Sequence, residues 1–260
     1  MLEIKDLTCL LGGEPILQID ELLIDKNGLY VFVGPSGCGK TTLLNIIAGL
    51  NREYSGNLSV FRRNYQRLSN LDIVAFRASH QSIFFQHNVF IEELTLGENI
   101  NLAALNHTQS LVEFNGNKNS KLAHTLHVEE LLKARVKTLS GGEKTRGSLA
   151  RVLSKECPLY LFDEPTAALD KDNAINVMEL IKQKSRRAIV ILVTHDLVLA
   201  KKYASVIYTM QDGRIINKKS RKHPFKISSQ FLPQELAYQK NANYIAKALL
   251  KAKKARHFFS

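Results

Sequence analysis

The sequence predicts an α/β fold built on a parallel sheet that is covered on both faces. Three continuous apolar runs point to it: "LYVFV" (29–33), "LYLF" (159–162) and "IVILV" (189–193). None of them alternates, and unbroken β-branched and aromatic runs suit strands buried on both sides. Each run is followed at once by polar residues: "GPSGCGKTT", "DEPT" and "THD". Ligands of open parallel sheets bind beyond the carboxyl ends of the strands. Three such endings therefore predict chemistry gathered along one edge.

The remaining elements follow in chain order. The first thirty residues read as short strands broken at "GGEP" and "KNG", an N-terminal antiparallel β subdomain. Thr41 to Ala48, "TTLLNIIA", reads as an apolar helix that stops at Gly49, a good C-cap residue. Residues 106–121, "NHTQSLVEFNGNKNSK", are polar and Asn/Gly-rich, and read as a long surface connection. It lies inside an inserted α-helical subdomain of about residues 87–155. The segment 141–155 puts Leu149, Val152 and Leu153 on one helical face. Residues 171–184 carry a stripe through Ile175, Met178 and Ile181, or through Val177, Leu180 and Ile181. The main domain is predicted to span residues 1–219, with a tail over 220–260.

Bulk properties narrow the class. The 260 residues are 45% apolar, enough for one large domain or one with an appendage. The longest apolar runs are about five or six residues, where a spanning helix needs roughly 20, so no membrane crossing is expected. The opening "MLEIKDLTC" has early acids and no long apolar core, and no signal peptide is expected. Cys9, Cys38 and Cys157 are scattered without C-x-x-C spacing, which argues against disulfides or zinc and for a reduced, cytoplasmic protein. The net charge of +12 is uneven. Residues 214–260 hold twelve Lys/Arg and one acid, Glu235, while residues 1–213 hold 24 basic and 23 acidic residues. A near-neutral body with a basic tail points to an anionic surface at the tail.

"GPSGCGKT" (34–41) fits G-x-x-x-x-G-K-[ST] between a strand and a helix. Its glycines turn the backbone N–H groups inward, and with the helix N-terminus these donors hold nucleotide phosphates. The candidate nucleotide-binding residues are thus Gly34, Pro35, Ser36, Gly37, Cys38, Gly39, Lys40, Thr41 and Thr42. Lys40 is expected on the β/γ-phosphates and Thr41 on Mg²⁺. Cys38 reads as a small gap-filler whose thiol, at a helix N-terminus near Lys40, is open to labelling that blocks nucleotide binding. "LYLFDEP" supplies Asp163 for the metal and Glu164 to activate the attacking water.

"TLSGGEKTR" (138–146) is more specific. With "GPSGCGKT", "LFDEPTAALD" and "VTHD" it strongly resembles the ATP-binding cassette (ABC) ATPases, over roughly residues 1–217. That resemblance implies a P-loop NTPase with a RecA-like core, using ATP and Mg²⁺ as an ATPase. It implies that Ser140, Gly141 and Gly142 bind the γ-phosphate of ATP held by a second cassette. Hydroxyl and glycine amides at a helix start suit an anion. It implies a D-loop role for Asp170 and a γ-phosphate contact for His195. Gln86 looks like the glutamine that meets Mg²⁺ and couples to the permease, with Gln81 as a competing candidate. The implied partners are a transmembrane permease and a second ABC domain, identical or different, at the inner face of the cell membrane.

Two departures stand out. The family commonly carries an aromatic residue ahead of the glycine loop, where this chain offers Leu10 or Leu11, so loose base selectivity is expected. Glu143 and Thr145 replace frequent glutamines, with little loss expected. The closing segment reads as a basic amphipathic helix for a membrane surface. It resembles the juxtamembrane start of a permease in the macrolide-export and lipoprotein-release branch, as does "LSNLDIVAFRASHQSIFFQ" (68–86). The alternative is a soluble ABC-type ATPase acting on nucleic acid or ribosomes. Such proteins usually carry two cassettes or a coiled coil, and this chain shows one cassette and no heptad run. A plain nucleic-acid module would leave Lys40, Asp163, Glu164 and Ser140 without a purpose.

Overall fold

A computed structural model describes residues 1–85, 89–104 and 117–220. Strands β1 (Leu2–Leu11) and β2 (Glu14–Ile24) lead into β3 (Gly28–Val33) and helix α1 (Lys40–Ile47). Then come β4 (Ser55–Val60), β5 (Arg63–Asn64), α2 (Asn70–His80), β6 (Gln81–Phe84), α3 (Leu96–Ala104), α4 (Asn117–Thr125) and α5 (Gly141–Ser154). The chain continues through β7 (Leu159–Asp163), α6 (Lys171–Lys184), β8 (Ile189–Thr194), α7 (Leu197–Tyr203), β9 (Val206–Gln211) and β10 (Arg214–Ser220). Among the described residues, one compact unit takes in 1–85, 157–167 and 178–220, and a second takes in 89–104, 117–156 and 168–177.

The first unit holds two sheets. A six-stranded sheet runs in the order β10-β9-β3-β8-β7-β6, parallel throughout except for the antiparallel β9–β10 pair. The three apolar runs form its adjacent strands β3, β8 and β7, and every residue of all three is buried. Their register decides where the chemistry goes. Val33 pairs with Thr194 and Asp163 with Val193, so the residues that follow each strand emerge side by side. The second sheet is antiparallel, in the order β2-β1-β4-β5. Its first two strands are 10 and 11 residues long, not the short strands expected, because Gly12 and Gly13 make one tight turn and the two strands stay paired from Leu11–Glu14 back to Leu2–Ile24.

Strand β4 meets β1 where the pairing shifts between Lys5 and Thr8 and Asp6 takes a φ of 51°. Gly56 fits there only because it lacks a Cβ. Its φ is +88°, and an added Cβ would lie 2.1 Å from the Asp6 carbonyl oxygen. The backbone oxygen cannot swing aside as a flexible side chain could. Gly56→Ala should cost about 3 kcal/mol and lower the melting temperature by roughly 10 °C. A calorimetric shift under 2 °C would show that the β1 bulge yields freely.

Helix α2 starts from a capping box: Ser69 Oγ accepts from the Asp72 N–H, and the Asp72 carboxylate accepts from the Ser69 N–H. It ends at Gln81, which is only 2% exposed. The Gln81 amide donates to the Tyr65 hydroxyl at 2.6 Å and to the Ile47 carbonyl at 3.3 Å. Gln81 pairs with Leu159 at the amino end of β7, away from the carboxyl edge. Gln81 is thus held inside the fold by its amide bonds, at the end of the sheet away from the strand-end residues 163–164 and 194–195.

In the second unit, α3 and α4 pack on α5. Gly147 of α5 lies close against Leu96, where even a methyl group would meet the leucine at 2.6 Å. Residues 117–121, expected within a surface connection, are the first turns of α4. Leu122, Ala123 and Leu126 explain it, since the helical spacing of these three gives the polar stretch an apolar side; Ala123 and Leu126 are buried.

Candidate nucleotide site

The loop between β3 and α1 sets the geometry. Pro35, Ser36 and Gly37 face solvent, while Gly34 and Gly39 are half-buried. Gly39 is the N-cap of α1 with a φ of 92°, and its Cα faces the Ile16 carbonyl so closely that a Cβ would lie 2.9 Å from it. Only glycine meets both demands, the left-handed backbone and the close approach. Thr42 is half-buried and Thr41 exposed at the first turn of α1.

Lys40 is 8% exposed. Its ammonium donates to the Gly34 carbonyl at 2.9 Å and the Pro35 carbonyl at 2.8 Å, which holds the charge inside the curve of the loop. Cys38 corrects the expectation of a labelled thiol. Its side chain is 5% exposed and belongs to the apolar core, facing Gly34. The gap-filling reading fits that position; a reagent arriving from solvent does not reach a sulfur held there. Cys38 has only its backbone to offer a nucleotide.

The Thr41 hydroxyl donates to Asp163 Oδ1 at 3.3 Å, which joins the loop to the end of β7. Asp163 is 5% exposed. Burial pushes its carboxyl above the ordinary range. The Thr41 bond and the Lys40 charge pull it back, and the neighbouring Glu164 charge adds to the rise. Two hard oxygen donors at this spacing, one of them a buried carboxylate, suit a small divalent cation such as magnesium.

Glu164 sits where β7 turns, with a φ of 48° that few non-glycine residues adopt. Its N–H donates to the Val193 carbonyl at 3.0 Å. Its carboxylate is gripped at both oxygens: Thr194 Oγ1 donates to Oε2 at 3.0 Å, and His195 Nδ1 lies 3.0 Å from Oε1. The Glu164 side chain is 16% exposed and that of His195 72%. The imidazole thus faces solvent while anchored on the half-buried acid. Thr194 went unassigned at the sequence level, although "VTHD" places a hydroxyl directly before the histidine.

The remaining candidates belong to the second unit or lie elsewhere. Ser140 is the N-cap of α5, and its hydroxyl and N–H both donate to Glu143 Oε2, at 2.7 and 2.8 Å. These bonds hold the Glu143 carboxyl below its ordinary range. Gly141 is exposed and Gly142 half-buried on the first turn. Asp170 accepts from the Asn173 N–H at 3.0 Å and from its side-chain amide at 2.6 Å, which caps α6 and holds its own carboxyl below the ordinary range. Gln86 and the basic tail from residue 221 lie outside the described residues. Leu10 and Leu11 are 54% and 70% exposed at the β1–β2 turn.

A glycine loop around a lysine, tied by its threonine to a strand-end aspartate beside a clamped glutamate, defines a P-loop nucleoside triphosphatase. Comparison with known proteins makes the class specific. Residues 17–167 match the ABC transporter family, and the chain belongs to that family. It is an ATP-binding cassette with ATPase activity. The chain is 34% identical over 224 residues to the ABC transporter ATP-binding protein YxdL of Bacillus subtilis, covering 84% of this chain and 86% of that protein. It is 32% identical over 213 residues to the lipoprotein-releasing system ATP-binding protein LolD of Pseudoalteromonas translucida, 79% of this chain and 89% of LolD. It is 34% identical over 203 residues to the macrolide export ATP-binding/permease protein MacB of Haemophilus ducreyi. That match covers 78% of this chain and spans only 29% of MacB. Among solved structures, a dimeric post-hydrolysis form of the ATP-binding cassette MJ0796 with ADP and Pi matches with a TM-score of 0.72 and 27% identity. The match covers 85% of this chain and 98% of that one. No described helix is long and apolar enough to cross a membrane.

Proposed function

We propose that this chain hydrolyses ATP between two paired cassettes and passes the motion to a transmembrane permease that exports its cargo. One observation carries the catalytic half: Lys40, the Thr41–Asp163 link and the clamped Glu164 stand together at the carboxyl edge of one sheet. Lys40 and the loop amides hold the phosphates. Glu164 takes the proton from the attacking water, and His195, anchored on it, faces the γ-phosphate. Magnesium, held by Thr41 and Asp163 with Gln86, would neutralise charge on the β- and γ-phosphate oxygens.

The other half of each site comes from a second cassette, identical or different. Gly141 and Gly142 at the start of α5 offer backbone donors to its γ-phosphate, the Ser140 hydroxyl joins them by turning away from Glu143, and Asp170 bridges the pair. The dimeric state of MJ0796 and the names of YxdL, LolD and MacB support this reading. Because each site needs two chains, turnover per chain should rise with protein concentration at saturating ATP. A flat rate across a hundredfold dilution series would overturn the shared site.

The match spans 29% of MacB, whose name joins ATP-binding and permease parts, so the domain over residues 1–219, with a helical subdomain of about 87–155, reads as the cassette of such a system, cytoplasmic and peripheral at the inner membrane face. We place the basic tail over 220–260 on anionic lipid, leading towards a permease. Deleting residues 221–260 should weaken cosedimentation with phosphatidylserine vesicles at least about tenfold, since each basic side chain near the surface contributes about 1 kcal/mol. Undiminished binding would remove the tail from the membrane.

A further inference from the structure

We infer that Thr194 is a positioning residue for hydrolysis: its hydroxyl fixes which oxygen of Glu164 is left to take the proton of the attacking water. The inference rests on the reading of Glu164 as the water-activating carboxylate.

The geometry is a directional relay. The Asp196 N–H donates to Thr194 Oγ1 at 3.1 Å, so one lone pair of that oxygen is committed. The hydroxyl proton then points to Glu164 Oε2, 3.0 Å away. Thr194 is 3% exposed, so water does not compete for either bond. The donor is itself fixed, because the Asp196 carboxylate caps α7 through the N–H groups of Val198 and Leu199, at 2.8 and 2.9 Å. A rigid helix start thus holds a hydroxyl, and the hydroxyl holds one carboxylate oxygen. The Glu164 backbone is pinned from the same strand through the Val193 carbonyl.

Oε1 faces the largely exposed His195. The two oxygens are therefore unequal: Oε2 is spent on a buried donor, and Oε1 stays on the side open to solvent. Without Thr194 the carboxylate is held at one oxygen only, by the exposed His195, and its last torsion, broad for a carboxyl group, is no longer fixed from the buried side. Orientation of a general base within hydrogen-bond reach of its proton is a demand of the transition state more than of ATP binding. Thr194 should thus act on kcat and leave nucleotide affinity alone.

The test compares Thr194→Val, Thr194→Ser and Glu164→Gln in the full chain. Phosphate release gives kcat, and equilibrium binding of a fluorescent ATP analogue gives affinity without turnover. Valine keeps the shape and removes the hydroxyl, and kcat should fall about tenfold with affinity held within about twofold. Serine keeps the hydroxyl and should restore kcat to within about threefold. If valine does not fold, Thr194→Cys replaces the hydroxyl by a weak donor, gives up the methyl as serine does, and is judged on the same split with a smaller loss. A valine variant at the wild-type rate overturns the inference, as does a serine variant as slow as valine, or an affinity loss that matches the loss in kcat. If Glu164→Gln is inactive while valine is normal, only the role of Thr194 fails. If Glu164→Gln turns over normally, the reading of Glu164 fails and takes this inference with it.

Discussion

Replacing Glu164 by glutamine should leave ATP bound and stop its hydrolysis, with turnover down at least about a hundredfold. The substitution isolates chemistry from structure. Glutamine has the shape of glutamate and can adopt the same left-handed backbone. Its amide oxygen can still accept from Thr194 Oγ1, so the buried half of the clamp survives. What disappears is a group able to take a proton from water. The phosphate loop and Thr41 are untouched, so nucleotide affinity should change little. If ATP holds two cassettes together and hydrolysis parts them, the variant should also accumulate as a dimer in ATP. Phosphate release and light scattering read the two outcomes separately. Normal hydrolysis would move the base elsewhere; loss of hydrolysis without a dimer would leave Glu164 in place and remove the shared site.

The second large effect belongs to Lys40. Removing its ammonium by Lys40→Ala should weaken ATP binding about a hundredfold, the loss expected when charge-assisted bonds to phosphate are deleted. The bonds it makes to the Gly34 and Pro35 carbonyls sharpen the argument. Those carbonyls point their negative ends into the loop, and without the lysine they would face a triphosphate directly. Lys40→Ala therefore removes an attraction and uncovers a repulsion. Titration with a fluorescent ATP analogue measures the loss, and an unchanged thermal unfolding curve shows that the fold survives. Wild-type affinity in Lys40→Ala would contradict the placement of the loop around phosphates.

Much of this was legible because the signals are local. An unbroken run such as "IVILV" needs no partner to be read as a buried strand, and the spacing from Gly34 to Thr41 names its own ligand. What escaped depends on contacts between distant segments. Helix α2 has little apolar periodicity of its own, and the local sign of it is the capping box of Ser69 and Asp72. The edge pair β9 and β10 lacks a long apolar run: β10 is almost wholly exposed, and its pairing across the Gly213 turn makes it a strand. The burial of Cys38 could not be told from its neighbours, which predict reactivity. Core atoms from other strands decided it. The "VTHD" motif does not mark Thr194, because its two bonds include one to a residue thirty positions away.

The left-handed backbone of Glu164 carries a consequence for engineering. Glycine would relax that conformation by on the order of 1 kcal/mol, against which stands the bond from the buried Thr194 hydroxyl that it would lose. A screen that rewards heat tolerance alone is blind to a side chain that the chemistry needs. Here durability and activity make separate demands on a single position, and any stabilisation campaign on this cassette has to hold residue 164 constant.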